Sequence, residues 1–279
     1  MINIIGMGAI GSLLACKFHL KCLNYACNFK SFGGFIRYSL FDGRQGLFTP
    51  NKSHNNPIKK LVVATKANDA LNSLETIHPL LAPDASILFL QNGLGFLEPK
   101  AINKYSQQIL ISNLSMAAAF QDGILTEASN GGTLNVTAYN SNQQLNNNSN
   151  SLLSTLSQLD GIKVHILDTP TFQHTAHLKL TANCAINALA TLQNCRNVDE
   201  CCTVLDLDHH STHLYTKNII NTTALNYNST HTDIHQRRKP ATHTEVEFLN
   251  GYIINQARIK GISTPNNQRL YDEFMHKFK

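Results

Sequence analysis

The 279-residue sequence predicts an α/β domain followed by an all-α domain. Up to about residue 168, short apolar strands alternate with helical patterns, which is typical of a doubly wound, mostly parallel sheet. From Pro170 onward, the apolar residues recur with the spacing of long helices. We therefore expect one domain over residues 1–168 and a second over residues 169–279.

The elements of both domains follow from the same patterns. In the first domain we expect strands at 2–5, around 29–35, and at 60–65, 86–90, 109–120, 132–138 and 163–167. Its helices are expected at 12–18, 68–80 and 151–159, and the polar Asn-rich tract 140–150 is read as a surface loop. The second domain is expected to contain helices at 171–193, 199–226 and 241–260, followed by a short terminal helix.

The start of the chain carries the most specific motif. An apolar strand at Ile2–Ile5 runs into Gly-x-Gly-x-x-Gly, and a helical segment follows without a break. In such a turn, Gly6 makes the tight bend, Gly8 lets the backbone approach a pyrophosphate, and Gly11 lets the helix pack on the strand. Phosphates bind there because the free N–H groups and dipole of a helix N-terminus favour negative charge. The sequence thus predicts a dinucleotide-binding, Rossmann-type domain whose cofactor-binding turn also includes Met7, Ala9 and Ile10.

The same motif favours NADP over NAD. NAD-preferring sites place Asp or Glu about 20 residues after the glycines, on the ribose hydroxyls. Residues 23–31 contain no carboxylate, and Lys30 and Ser31 fall where a second strand would end. A cation beside a hydroxyl suits a 2′-phosphate, although Lys30 as a solvated loop lysine and Arg37 as the phosphate partner remain alternatives.

Composition excludes several classes of function. The net charge of +5 is mild and is not clustered into a nucleic-acid footprint. No apolar run approaches the length of a membrane span, and the N-terminus does not read as a signal peptide. Seven cysteines without a Cys-x-x-Cys pair favour a reduced, cytoplasmic protein, with Cys16 and Cys184 in the core. His209, His210 and His213 offer helical spacing, but chance pairs are expected among 13 histidines, so we predict no metal site.

Polar residues stand where such a fold exposes them. Lys66 and Asn92 follow strands, at the edge where open α/β sheets bind ligands. Lys179, Asn183 and Asn187 recur four residues apart on an otherwise apolar helix. Because burying one ammonium and two amides without partners is costly, this stripe is expected to line a cleft.

These motifs together resemble those of the ketopantoate reductase (2-dehydropantoate 2-reductase) family. The resemblance extends over nearly the whole chain in order: the glycine turn, Thr-Lys-Ala after a strand, Gln-Asn-Gly-Leu-Gly, Lys-Leu-x-x-Asn-Cys-x-Ile-Asn, Asn-Cys, and Thr-Glu-x-Glu-x-x-Asn-Gly. It implies an N-terminal Rossmann-type domain and a C-terminal helical domain like that of 6-phosphogluconate dehydrogenase. It further implies NADPH-dependent reduction of ketopantoate to (R)-pantoate, in pantothenate and coenzyme A biosynthesis.

The resemblance also implies roles for individual residues. Lys179 matches the general acid that protonates the carbonyl oxygen, and Glu245 matches the glutamate that binds the developing hydroxyl. Substrate-binding roles are implied for Asn183, Asn187, Ser229 and Asn92. Cofactor-binding roles are implied for Lys30 at the 2′-phosphate, and for Lys66 and Asn92 beside the nicotinamide.

Two alternatives remain open at this level. Asn228-Ser229 and the long segment from Ile234 to Glu245 depart from the family pattern, so a reductase of another small 2-keto acid, for example an opine-type enzyme, is an alternative. A non-catalytic NADP-binding sensor is the other. The expected partner is a small 2-keto acid, with neither nucleic acid nor membrane, and the protein is expected to be a monomer or a homodimer.

Overall fold

The structure is a computed structural model. It describes residues 1–28, 34–52, 57–97, 99–139, 144–192, 197–226 and 245–277. Within these ranges it describes only the backbone of 185–192, 197, 220–226 and 277. The strands are β1 Ile2–Ile5, β2 Tyr25–Asn28, β3 Ile36–Ser39, β4 Gln45–Phe48, β5 Ile58–Val63, β6 Leu81–Phe89, β7 Gln108–Leu114, β8 Ala118–Gln121, β9 Ile124–Glu127, β10 Gly132–Ala138 and β11 Ile162–Ile166. The α-helices are α1 Ala9–Leu20, α2 Ala67–Ile77, α3 Pro99–Ile102, α4 Asn147–Leu156, α5 Thr169–Leu192, α6 Asn197–Leu205, α7 His209–Asn226, α8 Asn250–Lys260 and α9 Pro265–Lys277. Two 3₁₀ helices span His78–Leu80 and Glu245–Phe248.

The N-terminal part is built on a seven-stranded sheet in the order β11-β10-β7-β6-β5-β1-β2. Its neighbours pair in parallel, except for the antiparallel pair of β7 and β10. The central strands β5 and β6 are apolar in their C-terminal halves because both faces are covered there, and Leu61, Val62 and Val63 are fully buried. The predicted fold class, a Rossmann-type α/β part followed by a helical part, is confirmed.

A second, four-stranded sheet in the order β4-β3-β9-β8 was not expected from the sequence. Its strands are four residues long and partly exposed, so their alternation is too short to stand out. The single strand expected at 109–120 is in fact two strands in different sheets, β7 and β8. The strand expected around residues 29–35 falls mainly on residues 29–33, which lie outside the described part; the second strand that is described, β2, ends at Asn28.

The Asn-rich tract is only partly the loop that we expected. Helix α4 begins at Asn147, because the Asn146 carboxamide accepts the backbone N–H of Ser149 at 2.8 Å as an N-cap. Ser149 Oγ in turn donates to Gln108 Oε1, and it lies 2.6 Å from Ser86 Oγ. Asparagine thus starts a helix here, over the amino ends of β6 and β7.

The small sheet is joined to α1 by a buried ion pair. Lys17 Nζ lies 2.7 Å from Glu127 Oε1, and both side chains are only 4% exposed. The same ammonium donates to the backbone carbonyl of Asp160 at 2.9 Å, and Glu127 Oε2 accepts the N–H of Phe41. Both charges therefore have partners, as buried charges require.

The C-terminal part is helical, but its helices are shorter than expected. The helix expected at 199–226 is broken into α6 and α7 at Asp206, which has a φ of +56°. Asp208 then accepts the N–H of Ser211 at 2.8 Å and so caps the next helix. The helix expected at 241–260 is the 3₁₀ helix Glu245–Phe248 followed by α8, and residues 241–244 lie outside the described part.

A buried polar network anchors the last helix. The Glu200 carboxylate accepts the backbone N–H groups of Asn266 and Asn267 at 2.7 and 2.8 Å, and also accepts both of their side-chain amides. It thereby supplies a negative charge to the N-terminus of α9. Asn250 Nδ2 donates to Asn267 Oδ1 at 3.0 Å, so the start of α8 joins the same network. Cys16 and Cys184 are fully buried, as expected.

The chain forms two compact units. The first, the sheet unit, comprises Met1–Gln91 and Glu98–Phe172, and the second, the helical unit, comprises Asn92–Leu97 and Gln173–Lys279. The short segment Asn92–Leu97 therefore belongs to the helical unit, although strands of the sheet unit precede and follow it. In the ranges described above, every helix is too short or too polar to cross a membrane.

Candidate active site

The glycine turn after β1 has the geometry that its sequence predicts. Gly6 has a φ of +97°, and a Cβ atom on it would lie 2.4 Å from the backbone N of Thr65. A Cβ atom on Gly11 would lie 1.9 Å from the carbonyl oxygen of Gly6. Both positions therefore require glycine, because a side chain would collide with backbone.

Gly8 differs from Gly6 and Gly11, because there is open space where its side chain would lie. Among the described residues, a Cβ atom on Gly8 would meet no atom within 4 Å, and no side chain caps α1, which starts at Ala9. Nearby, the buried Thr65 Oγ1 has no hydrogen-bond partner among the described residues. An open approach to a helix N-terminus with an unpaired hydroxyl beside the turn fits a phosphate group. The residues present in the sheet unit therefore fit a dinucleotide.

The other residues expected on the cofactor are only partly described. Lys66 lies three residues beyond the end of β5 and directly precedes α2. Lys30 lies outside the described residues. Asn28, the last residue of β2, is paired in register with Ile5, and its Nδ2 is buried without a described partner. Sequence reasoning missed Thr65 and Asn28, although Asn28 ends β2 and Thr65 lies two residues beyond β5, at the edge where such sheets bind ligands.

In the helical unit, α5 carries the predicted lysine. Lys179 Nζ donates a hydrogen bond to Asn92 Oδ1 at 2.8 Å, across 87 positions of sequence. Burial lowers the pKa of Lys179 from its ordinary value to about 8, and the nearby Glu245 carboxylate opposes this by raising the pKa. Glu245 is the first residue of the 3₁₀ helix. Lys179, Asn92 and Glu245 are thus brought together within one unit.

The remaining substrate-binding predictions have different outcomes. Asn183 lies one turn beyond Lys179 on α5 and is partly exposed. Asn187 lies on the same helix, but its side chain is outside the described part, and Ser229 lies outside it altogether.

The arrangement has a definite chemical capacity. An ammonium with a pKa near 8 is a far better proton donor near neutrality than an ordinary lysine. Its hydrogen bond to an amide oxygen shows that a carbonyl-type acceptor can approach it at 2.8 Å.

A short loop and a short helix together form this constellation. The backbone N–H of Leu94 donates to the carbonyl oxygen of Phe248 at 3.0 Å. The rings of Phe96 and Phe248 meet edge to face, with centroids 6.4 Å apart and planes at 88°. The loop carrying Asn92 is therefore fastened to the 3₁₀ helix carrying Glu245.

The histidine cluster has another role in the structure. His209 Nδ1 and His213 Nε2 lie 3.2 and 2.7 Å from Asp199 Oδ1, which links α6 with α7. In the portion of the chain that is described, no group of three or more His, Cys, Asp or Glu side chains is arranged to hold a metal ion.

Comparison with known proteins gives consistent results. Residues 42–141 match the family model "Ketopantoate reductase PanE/ApbA", and residues 171–277 match "Ketopantoate reductase PanE/ApbA C terminal". The chain is 28% identical to a 2-dehydropantoate 2-reductase of Yersinia pestis, over 99% of this chain and 94% of the relative.

Solved structures share the fold. A ternary complex of D-mandelate dehydrogenase with NADH and anilino(oxo)acetate superposes with a TM-score of 0.78 at 18% identity, covering 99% of this chain and 98% of that one. A dimeric ketopantoate reductase from Staphylococcus aureus gives a TM-score of 0.73 at 16% identity, covering 100% and 99%. The two family models together span well over half of the sequence and include strands β5, β6, β7 and β10 of the large sheet and the helices that carry Lys179 and Glu245. The chain therefore belongs to the ketopantoate reductase family of oxidoreductases.

Proposed function

We propose that the protein reduces 2-dehydropantoate to (R)-pantoate with NADPH, in the biosynthesis of pantothenate and coenzyme A. The observation that carries this proposal is the Lys179 ammonium, held by Asn92 and shifted in pKa to about 8 beside Glu245. Perturbed titration of a group with a specific charge partner is characteristic of functional sites. The family membership and the 2-dehydropantoate 2-reductase relatives support the same substrate.

The sheet unit holds the cofactor in this proposal. The turn formed by residues 6–11 takes the diphosphate, Gly8 leaves room for it, and Lys30 takes the 2′-phosphate of NADPH. Lys66 binds on the nicotinamide side, and we assign the same role to Asn92, which belongs to the helical unit. The bound nicotinamide supplies hydride, while the protein supplies binding and orientation.

The helical unit supplies the proton. Lys179 donates it to the ketone oxygen, where negative charge develops during reduction, and the positive charge stabilises that oxygen before the transfer. Glu245 keeps Lys179 protonated and accepts a hydrogen bond from the new hydroxyl. Asn183, Asn187, Ser229 and Asn92 orient the keto acid.

Purified protein, NADPH and a panel of 2-keto acids test the proposal through the absorbance of the reduced nicotinamide. Oxidation with ketopantoate supports it. Oxidation only with another 2-keto acid supports a related reductase, an alternative that the shared fold of D-mandelate dehydrogenase leaves open. Tight NADPH binding without turnover of any keto acid supports a sensor and contradicts the proposal.

The cofactor part is tested by Gly8→Ala. The new methyl group meets no protein atom within 4 Å, so we expect unchanged stability and a loss of NADPH affinity of about tenfold or more. Unchanged NADPH affinity would show that the turn is not part of the cofactor site.

The role of Lys30 is tested by Lys30→Glu. This change should weaken the binding of NADPH far more than the binding of NADH, and equal effects on the two would show that Lys30 does not bind the 2′-phosphate.

We also propose a cytoplasmic protein that is a monomer or homodimer. Every cysteine in the described ranges is a free thiol, in keeping with a reducing compartment. The Staphylococcus aureus relative is described as dimeric. Sedimentation of the purified protein distinguishes the two assembly states.

A further inference from the structure

The loop that carries Asn92 has two glycines with positive φ, Gly93 at +88° and Gly95 at +82°. A Cβ atom on Gly93 would lie 2.6 Å from the carbonyl oxygen and 2.7 Å from the Cβ of Phe248. A Cβ atom on Gly95 would lie 3.0 Å from the ring of Tyr252. The loop therefore lies directly on the 3₁₀ helix and the start of α8, and at Gly93 it leaves no room for a side chain.

Phe248 provides several of the contacts on the other side. Its carbonyl accepts the Leu94 N–H at 3.0 Å, its backbone packs against Gly93, and its ring meets Phe96. Phe248 is also the last residue of the 3₁₀ helix that Glu245 begins. Phe248 thus contacts the loop whose Asn92 accepts a hydrogen bond from Lys179. It also ends the short helix whose Glu245 carboxylate raises the pKa of Lys179.

We propose that Phe248 is a positioning residue that clamps the Asn92 loop to the Glu245 helix and so holds both groups at the ammonium of Lys179. This inference rests on the proposed role of Lys179 as proton donor. It also assigns a task to Gly93 in Gln-Asn-Gly-Leu-Gly, which is to allow the loop to touch the Phe248 backbone. A misplacement of about 1 Å in a catalytic constellation costs about a hundredfold in rate, so the clamp is a determinant of turnover.

The test compares Gly93→Ala with Gly43→Ala. Gly43 has a φ of +89°, nearly the same as Gly93, but its added methyl group would meet nothing within 4 Å. The two variants carry the same backbone strain, and only Gly93→Ala pushes against Phe248. Phe96→Ala, which removes one ring of the clamp from a partly exposed residue, is a gentler variant with less risk of misfolding, and Phe96→Tyr is its conservative partner.

The first readout is turnover. We expect Gly93→Ala to lower kcat for ketopantoate about a hundredfold, with the Kd of NADPH within about threefold of the parent value. Phe96→Ala should lower kcat by a smaller factor, and Phe96→Tyr and Gly43→Ala should retain it. A kcat for Gly93→Ala equal to that of Gly43→Ala would overturn the clamp.

The second readout does not depend on activity. Competitive acylation of lysines over a range of pH, followed by mass spectrometry, gives the pKa of Lys179 in each folded variant. With the clamp open, water reaches the ammonium; because burial affects this pKa more than Glu245 does, the pKa should rise from about 8 toward that of an ordinary lysine even if Glu245 also moves away. An unchanged or lower pKa in both Gly93→Ala and Phe96→Ala contradicts the proposal. If the parent protein reduces no 2-keto acid, the proposed function fails, and this readout still decides on the clamp.

Discussion

Each unit contains a desolvated lysine, and the two lysines differ in the partners that surround the ammonium group. Lys17, in the sheet unit, is 4% exposed, and it is bonded to the Glu127 carboxylate at 2.7 Å and the Asp160 carbonyl at 2.9 Å. Lys179, in the helical unit, donates instead to the neutral Asn92 amide at 2.8 Å, and its pKa is lowered to about 8. The first ammonium contacts a carboxylate and a backbone carbonyl, whereas the second contacts an amide oxygen and has the Glu245 carboxylate nearby.

The contrast shows how the surroundings of a lysine side chain change what it can do. A buried cation in contact with a carboxylate has its charge compensated and links the elements around it. A desolvated cation gives up its proton more easily, and burial lowers the pKa of Lys179 in this way. The same side chain therefore fixes α1 to the small sheet in one place and is suited to donate a proton in the other.

The largest effect is expected from Lys179→Ala. Removing the proton donor should lower kcat for ketopantoate about a thousandfold, because general acid catalysis contributes about 10²–10⁴. Thermal stability and the Kd of NADPH should stay nearly unchanged. Steady-state kinetics, thermal unfolding and a binding titration measure these three quantities. A large loss of NADPH binding would contradict the assignment of Lys179 as the proton donor.

Lys17→Ala should have the opposite profile. It leaves the Glu127 carboxylate buried without its cation, which costs about 3–5 kcal/mol of unfolding free energy. Denaturant unfolding measures this loss. The double variant Lys17→Met with Glu127→Leu removes both charges and should recover most of the stability; equal instability of single and double variants would show that the pair is not the cause.

The smallest effect is expected from Glu245→Gln. Glu245 raises the pKa of Lys179, so its neutral replacement should lower that pKa further. A general acid works only while protonated, so activity should be lost at a lower pH in the variant than in the parent. Measurements of kcat/KM over a range of pH give the pH at which each protein loses activity. A loss at higher pH in the variant than in the parent would contradict the role of Glu245.

The parts of the molecule that depend on local sequence were predictable. The glycine turn and the helix with Lys179 are each recognised within a few residues, because steric demand and helical spacing act over that range. The contact of Lys179 with Asn92 could not be derived from spacing, since it joins positions 87 apart. Only the family resemblance had placed both at one site.

Other features could not be predicted from the sequence, because the contacts that cause them are non-local. The four-residue strands of the small sheet owe their pairing to neighbours far along the chain. The early start of α4 comes from Asn146 as an N-cap among many similar asparagines. Thr65 is distinguished only by an unpaired hydroxyl beside Gly6, which no pattern of residue types reveals.

The pH dependence of kcat/KM for ketopantoate, in the parent protein and in Lys179→Ala, tests the central claim most directly. We predict that the parent rate constant is level at lower pH and declines above about pH 8, where Lys179 loses its proton, and that the residual activity of the variant lacks this decline. A decline that persists in Lys179→Ala would contradict the assignment of Lys179 as the proton donor.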